Sequence, residues 1–141
     1  MEIYVDADAC PVKKIIVKVA REKNLKVTMI ADTSHQINDG YSKVIVVDKG
    51  CESVDIALIN HVSKDDIVVT QDFGVAVMAL GKKAKALNQN GLIYTDDNID
   101  ILLLDRHVGS RIRRGGGKTK GEKKRSKLDD ENFEKSFRSL L

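Results

Sequence analysis

Short runs of β-branched and apolar residues recur along the chain at 3–5, 26–31, 43–47, 67–70 and 92–95, each of strand length. Stretches with apolar residues at helical spacing separate most of them, and this alternation predicts an α/β domain. The clearest helical stretch is 11–23. Val12, Ile15, Ile16, Val19 and Ala20 fall on one face there, and Pro11 suits a first helical position, where an amide hydrogen would have no partner. Further helices are expected over 52–62, where Val54, Ala57 and Leu58 share a face, over 74–83, where Ala76, Val77 and Leu80 do, and from near Asn98 to 110. Ser126 to Asp129 has the form of a capping box. Phe133, Phe137, Leu140 and Leu141 then align on one side of a terminal helix that should dock on the body. The 32–42 connection is barely long enough for a crossover between parallel strands, so the direction of strand 43–47 relative to strand 26–31 stays open.

A chain of 141 residues, 42% hydrophobic and 32% charged, has material for one real core and not for two. The expected organisation is a body over 1–110, an exposed flexible arm over 111–127 and an amphipathic helix over 128–141. Apolar runs such as Val44 to Val47 fall far short of the roughly 18 residues that cross a bilayer. Residues 1–9 read as strand and loop, without the basic-then-apolar pattern of an export signal, so the expected compartment is the cytoplasm. Cys10 and Cys51 are too few for a disulfide scaffold and lack the close pairing of a zinc knuckle, which leaves two free thiols.

Charge is distributed unevenly. Residues 1–105 carry 12 Lys/Arg against 16 Asp/Glu, whereas residues 106–127 carry 10 against 1. Arg106, Arg111, Arg113, Arg114, Lys118 and Lys120 lie in this basic stretch, among glycines that suit it poorly to packing, and they read as sequence-independent contacts to phosphate. Gly117-Lys118-Thr119 is no P-loop, because that pattern needs glycine where Ile112 stands and a strand before it.

Each predicted strand is followed at once by an aspartate: Asp6, Asp32, Asp48, Asp72 and Asp96. In a parallel sheet these positions share the carboxyl edge, where open α/β sheets bind their ligands. Asp8 points the same way as Asp6 if the chain stays extended, Asp55 sits in the first turn of a predicted helix, and Asp97 adds another acid. Aspartate is also a favoured helix N-cap, and capping explains Asp32 or Asp48 as readily as a ligand role does. It does not explain Asp6, Asp8 and Asp55 together, since Asp6 is too far from its helix and Asp55 lies inside one. Carboxylates that converge repel each other unless a cation neutralises them, and an all-oxygen site suits Mg²⁺ or Mn²⁺. Such ions activate water and stabilise charge on a phosphodiester, which points to hydrolysis of nucleic acid.

Four motifs, Asp6-Ala-Asp-Ala-Cys-Pro-Val-Lys13, Val47-Asp-Lys-Gly-Cys-Glu-Ser-Val-Asp55, Val69-Thr-Gln-Asp-Phe-Gly-Val-Ala76 and Arg114-Gly-Gly-Gly-Lys-Thr-Lys-Gly121, resemble the YaiI/YqxD family of small bacterial proteins over nearly the whole chain. That family is similar in turn to PIN-like and NYN nucleases. The resemblance implies a three-layer, mainly parallel five-stranded sheet of PIN-like (Rossmann-like) type. It implies metal ligands at Asp6, Asp55 and Asp72, and Asp8, from its place beside Asp6, is expected to complete the catalytic set. The middle acid here is Asp55 where PIN domains commonly have Glu, and no second acid follows Asp72 two residues on.

The expected function is therefore a Mg²⁺- or Mn²⁺-dependent nuclease whose partner is nucleic acid, RNA ahead of DNA, with no membrane and an open oligomeric state. One alternative is a nucleic-acid-binding module without catalysis. The other is a phosphatase of the haloacid-dehalogenase type, suggested by Asp6-Ala-Asp8 and by Asp96-Asp97 after the last strand. Three Tyr and three Phe offer few stacking platforms, which argues against a dedicated single-strand binder.

Overall fold

A computed structural model describes residues 1–8, 10–32, 38–47, 53–101 and 124–141. The strands are β1 (Glu2–Asp6), β2 (Lys26–Asp32), β3 (Lys43–Val47), β4 (Ile67–Val69), β5 (Lys85–Leu87) and β6 (Ile93–Tyr94). The helices are α1 (Lys13–Lys23), α2 (Val54–His61), α3 (Phe73–Gly81), α4 (96–101, to the limit of description) and α5 (Lys127–Leu140). The arm predicted over 111–127 lies outside the described residues up to position 123.

The strands assemble in the order β3-β2-β1-β4-β5-β6. All neighbours pair in parallel except β5 and β6, which are antiparallel. The fold is thus the expected mainly parallel α/β sheet, with two particulars that the sequence pattern did not provide. β3 runs parallel to β2, in the register Thr28 with Lys43 to Asp32 with Val47, so the short 33–42 connection does cross over. The sheet also has six strands rather than five, because Lys85 to Leu87 adds one beside β4.

Alternation along the strands separates two cores. Ile3 and Val5 of β1, Val27 and Met29 of β2, and Ile67 and Val69 of β4 face α1 and α5. Tyr4, Ile30 and Val68 face α2 and α3, which complete the third layer. α1 buries Ile16, Val17, Val19 and Ala20 and ends at Asn24, whose left-handed φ of 57° lets its amide return to the last turn. Its helical residues start at Lys13, two positions later than the Pro11 start expected from sequence, and Ile16 N–H donates to the Val12 carbonyl.

α5 begins with a complete capping box. Asp129 N–H donates to Ser126 Oγ at 3.3 Å, and Ser126 N–H donates to Asp129 Oδ2 at 2.9 Å. Phe133 and Phe137 are fully buried against α1 and stack at 5.4 Å, each burial contributing about 2 kcal/mol. Ion pairs from Arg138 to Glu22 and Glu134 edge the contact. At the far end Lys85 Nζ donates to the Leu140 carbonyl at 3.1 Å.

Candidate active site

β1 and β4 are neighbours at the centre of the sheet, and the pairing of Val5 with Val69 brings Asp6 beside Thr70. Both side chains fall on the α2–α3 side, because their strand neighbours Val5 and Val69 face α1. The Thr70 hydroxyl donates to Asp6 Oδ2 at 3.2 Å and accepts from the Asp72 amide at 3.0 Å. Tyr94 supports this joint from β6: its hydroxyl donates to the Thr70 carbonyl at 3.3 Å, and its ring meets Phe73 edge-on at 5.9 Å. Neither Thr70 nor Tyr94 was identifiable from sequence spacing, since each acts through a partner brought to it only by strand order.

Asp72 caps α3, its Oδ1 accepting from the amides of Gly74 at 2.7 Å and Val75 at 3.2 Å. Any Cβ at position 74 would lie 3.0 Å from that oxygen, so glycine leaves room for the cap. Asp55 stands in the first turn of α2, behind the Ser53 N-cap, where the helix dipole favours a carboxylate. α2 packs on the same face of the sheet as Tyr4 and Ile30, which carries its amino end over the ends of β1 and β2.

These acids share one electrostatic neighbourhood. Burial pushes the Asp6 carboxyl up to about 6, Thr70 opposes this by donating to it, and the charges of Asp55, Asp8 and Asp72 raise it further. The Asp55 carboxyl is likewise raised, by burial first and then by Asp72. The Tyr94 hydroxyl is pushed up to about 12, by burial and by Asp72. Three central-strand and helix-start carboxylates, from β1, α2 and the β4–α3 turn, therefore repel one another at one edge.

The other sequence candidates fall as follows. Asp8 accepts the Asp32 amide with both oxygens, each at 3.4 Å, and so ties the β1 loop to the end of β2. Asp32 ends β2 opposite Val47. Asp48 and Cys51 lie outside the described residues, as do Arg106, Arg111, Arg113, Arg114, Lys118 and Lys120. Asp96 and Asp97 do not join the carboxyl edge, because β6 runs antiparallel and delivers them to the opposite end of the sheet. There they occupy the first turn of α4, which Thr95 and Asn98 cap reciprocally, Asn98 N–H to Thr95 Oγ1 at 3.2 Å and Thr95 N–H to Asn98 Oδ1 at 2.9 Å. The phosphatase alternative loses its second acidic pair by this geometry. Cys10 is a buried free thiol raised by desolvation, the behaviour of a small apolar residue.

Arg125 marks where the basic stretch rejoins the body. Its guanidinium donates to Asp130 Oδ1 at 2.7 Å, Asn90 Oδ1 at 2.8 Å and the Gln89 carbonyl at 2.7 Å. Asn88 to Gly91 link β5 to β6 beyond Leu87, which places this anchor at the carboxyl edge. Its charge also reaches the Cys10 thiol.

Among the described residues no three His, Cys, Asp or Glu side chains form a ready-made cluster for one ion. Magnesium does not require one. It keeps several waters and commonly takes one or two carboxylates directly, and an all-carboxylate set that lacks sulfur and imidazole is of the right hardness for it.

Fold and edge together define a three-layer α/β domain with carboxylates gathered where its central parallel strands end. The chain belongs to the YaiI/YqxD family: the family described as "Uncharacterized BCR, YaiI/YqxD family" matches residues 4–141. It is 65% identical to a UPF0178 protein of Ruminiclostridium cellulolyticum over 97% of this chain and 90% of that one. It is 50% identical to one from Clostridium acetobutylicum over 100% and 97% of the two chains. Among solved structures it is similar to a Rae1 (YacP) mutant from Bacillus subtilis, with a TM-score of 0.48 and 14% identity over 95% of this chain and 91% of that one. No helix among the described residues is long and apolar enough to cross a membrane.

Proposed function

We propose that this protein is a divalent-metal-dependent nuclease that hydrolyses phosphodiesters of RNA or DNA, with Asp6, Asp55 and Asp72 holding Mg²⁺ or Mn²⁺ and Asp8 assisting. The reading is carried by the environment of Asp6, a part-buried carboxylate whose strongest charged neighbours, Asp55, Asp8 and Asp72, are all acids. Such an arrangement is costly in the free protein and is relieved when a cation binds.

A bound ion would supply charge for the phosphate and lower the pKa of an attacking water. The chain itself contributes the rest. Thr70 aims Asp6, the α3 cap aims Asp72, and the α2 amino end holds Asp55. With its carboxyl near 6 in the metal-free protein, Asp6 is ionised at neutral pH and so available to a cation. Arg125 tethers the end of the basic segment at this same edge, so Arg106, Arg111, Arg113, Arg114, Lys118 and Lys120 belong to a stretch suited to phosphate.

The test is calorimetric titration of Mn²⁺ and Mg²⁺ into the native chain, Asp6→Asn and Asp72→Asn, followed by cleavage assays on RNA and DNA oligonucleotides. Loss of metal binding in both variants, and of cleavage in Asp6→Asn, is the expected result. Metal-dependent cleavage that persists unchanged in Asp6→Asn would overturn it. A second reading, a binding module without turnover, draws on the Asp72 cap, which gives that carboxylate a purely structural use. It expects salt-sensitive binding of nucleic acid and no cleavage with either metal.

A further inference from the structure

We infer that the outward face of α1 is a phosphate track, a groove that carries the sugar-phosphate backbone of one nucleic-acid strand away from the acidic edge. This rests on the nuclease reading and adds to it a binding surface separate from the basic stretch at 106–127. Lys13, Lys14, Val17, Lys18 and Arg21 recur at the spacing of a single helical stripe, and with Asn38 and Asp39 they line a groove of about 460 Å³.

The groove begins at the acidic edge and leads away from it. At its near end Lys13 Nζ donates weakly to the Ala7 carbonyl at 3.4 Å, between Asp6 and Asp8. At its far end Arg21 is held in place, one guanidinium nitrogen donating to the Asp39 carbonyl at 3.1 Å and its carbon lying 5.1 Å from the Tyr41 ring centre. Asp39 Oδ1 is taken up by its own turn, accepting from the amides of Tyr41 at 2.8 Å and Ser42 at 2.6 Å, and its Oδ2 is buried. Between the ends, Lys14 has no acidic partner among the described residues. Lys18, 62% exposed, has a loose contact with Glu134 at 3.7 Å and feels the charge of Glu22.

A row of cations suits a ligand whose negative charge repeats. From Lys13 to Arg21 the helix rises about 12 Å, room for successive phosphates of one strand. Val17 gives the groove a partly apolar floor against which sugar can lie. A carboxylate edge repels phosphate, so a substrate strand needs positive surface close beside it, and α1 provides it where the loop through Asp8 leads from β1 into the helix.

The experiment is fluorescence anisotropy of a labelled single-stranded RNA oligonucleotide over a salt series. It compares the full native chain, Lys14→Glu/Lys18→Glu and the charge-preserving Lys14→Arg/Lys18→Arg. Mn²⁺ titration and thermal unfolding are run on each. The glutamate pair is expected to weaken binding tenfold or more and to lower the slope of log affinity against log salt by about 1.5, from ~0.7 per lost phosphate contact. The arginine pair should bind as the native chain does, and Mn²⁺ binding should not change. Native affinity and slope in the glutamate pair would overturn the track while leaving the acidic site untouched. A native chain that binds no oligonucleotide at any salt would overturn it too. Failure of Mn²⁺ to bind the native chain would instead count against the nuclease reading alone.

Discussion

The Thr70 hydroxyl donates to Asp6 Oδ2 across 3.2 Å, joining the ends of two adjacent central strands through residues 64 positions apart in the chain. Since the same hydroxyl accepts the Asp72 amide, one buried oxygen sets the relation between two of the proposed metal ligands.

Thr70→Val keeps the shape of the side chain and removes both bonds. The Asp72 amide loses its acceptor, and a cost of about 1–2 kcal/mol in unfolding free energy is expected from denaturant titration. The Asp6 carboxyl also loses the donor that lowers it, so the pH at which Mn²⁺ binding is half-maximal should move upward in a titration series.

In metal-free protein, Asp6→Asn should raise stability at neutral pH even as it removes activity. The folded carboxyl, near 6, lies above its ordinary value of 3.8, so the unfolded chain holds fewer protons between these values and stability falls as pH rises through that window. Well below pH 3.8 the acid is neutral in both states, and native and variant should unfold alike. Above pH 6 the variant should be more stable by about 1–2 kcal/mol, a figure reduced for the partial exposure of the group. Thermal unfolding in chelator from pH 4 to 8 reads this difference, and a constant gap across the range would refute the assignment.

Gly91 has a φ of +87°, and a Cβ there would stand 2.5 Å from the Asn132 carbonyl oxygen of α5. Backbone cannot yield as a side-chain tip can. Gly91→Ala is expected to cost about 2 kcal/mol or more and to loosen α5, read as faster hydrogen exchange in residues 127–140.

Arg125→Ala deletes three bonds that hold the body to the start of α5. A loss of about 2 kcal/mol is expected in urea unfolding, less than a fully buried arginine would cause, because water partly screens the site. Oligonucleotide affinity should fall as well, since the basic segment loses its tether beside the acids.

Local patterns made much of this protein legible in its sequence. The face formed by Val12, Ile16, Val19 and Ala20, the capping box from Ser126 to Asp129 and the alternation of Ile3, Tyr4 and Val5 are each set by neighbours within a few residues. Aspartates placed after strands announced an acidic edge for the same reason, since a strand end in a parallel sheet has one destination.

Strand order decided what neighbouring residues could not. Lys85 to Leu87 has too few residues for a period of its own and becomes a strand only because β4 offers it an open edge. The reversal of β6 sends Asp96 and Asp97 to the far end, although their sequence context matches that of Asp6 and Asp72. The adjacency of β1 and β4 makes a partner of Thr70. The sequence by itself determined the helices and every strand but β5, and that acids follow most strands, because those choices rest on backbone preference and periodicity over short spans. Only the tertiary structure decided which acids meet, because convergence depends on the order and direction of strands paired across long separations, and no short stretch of chain encodes that.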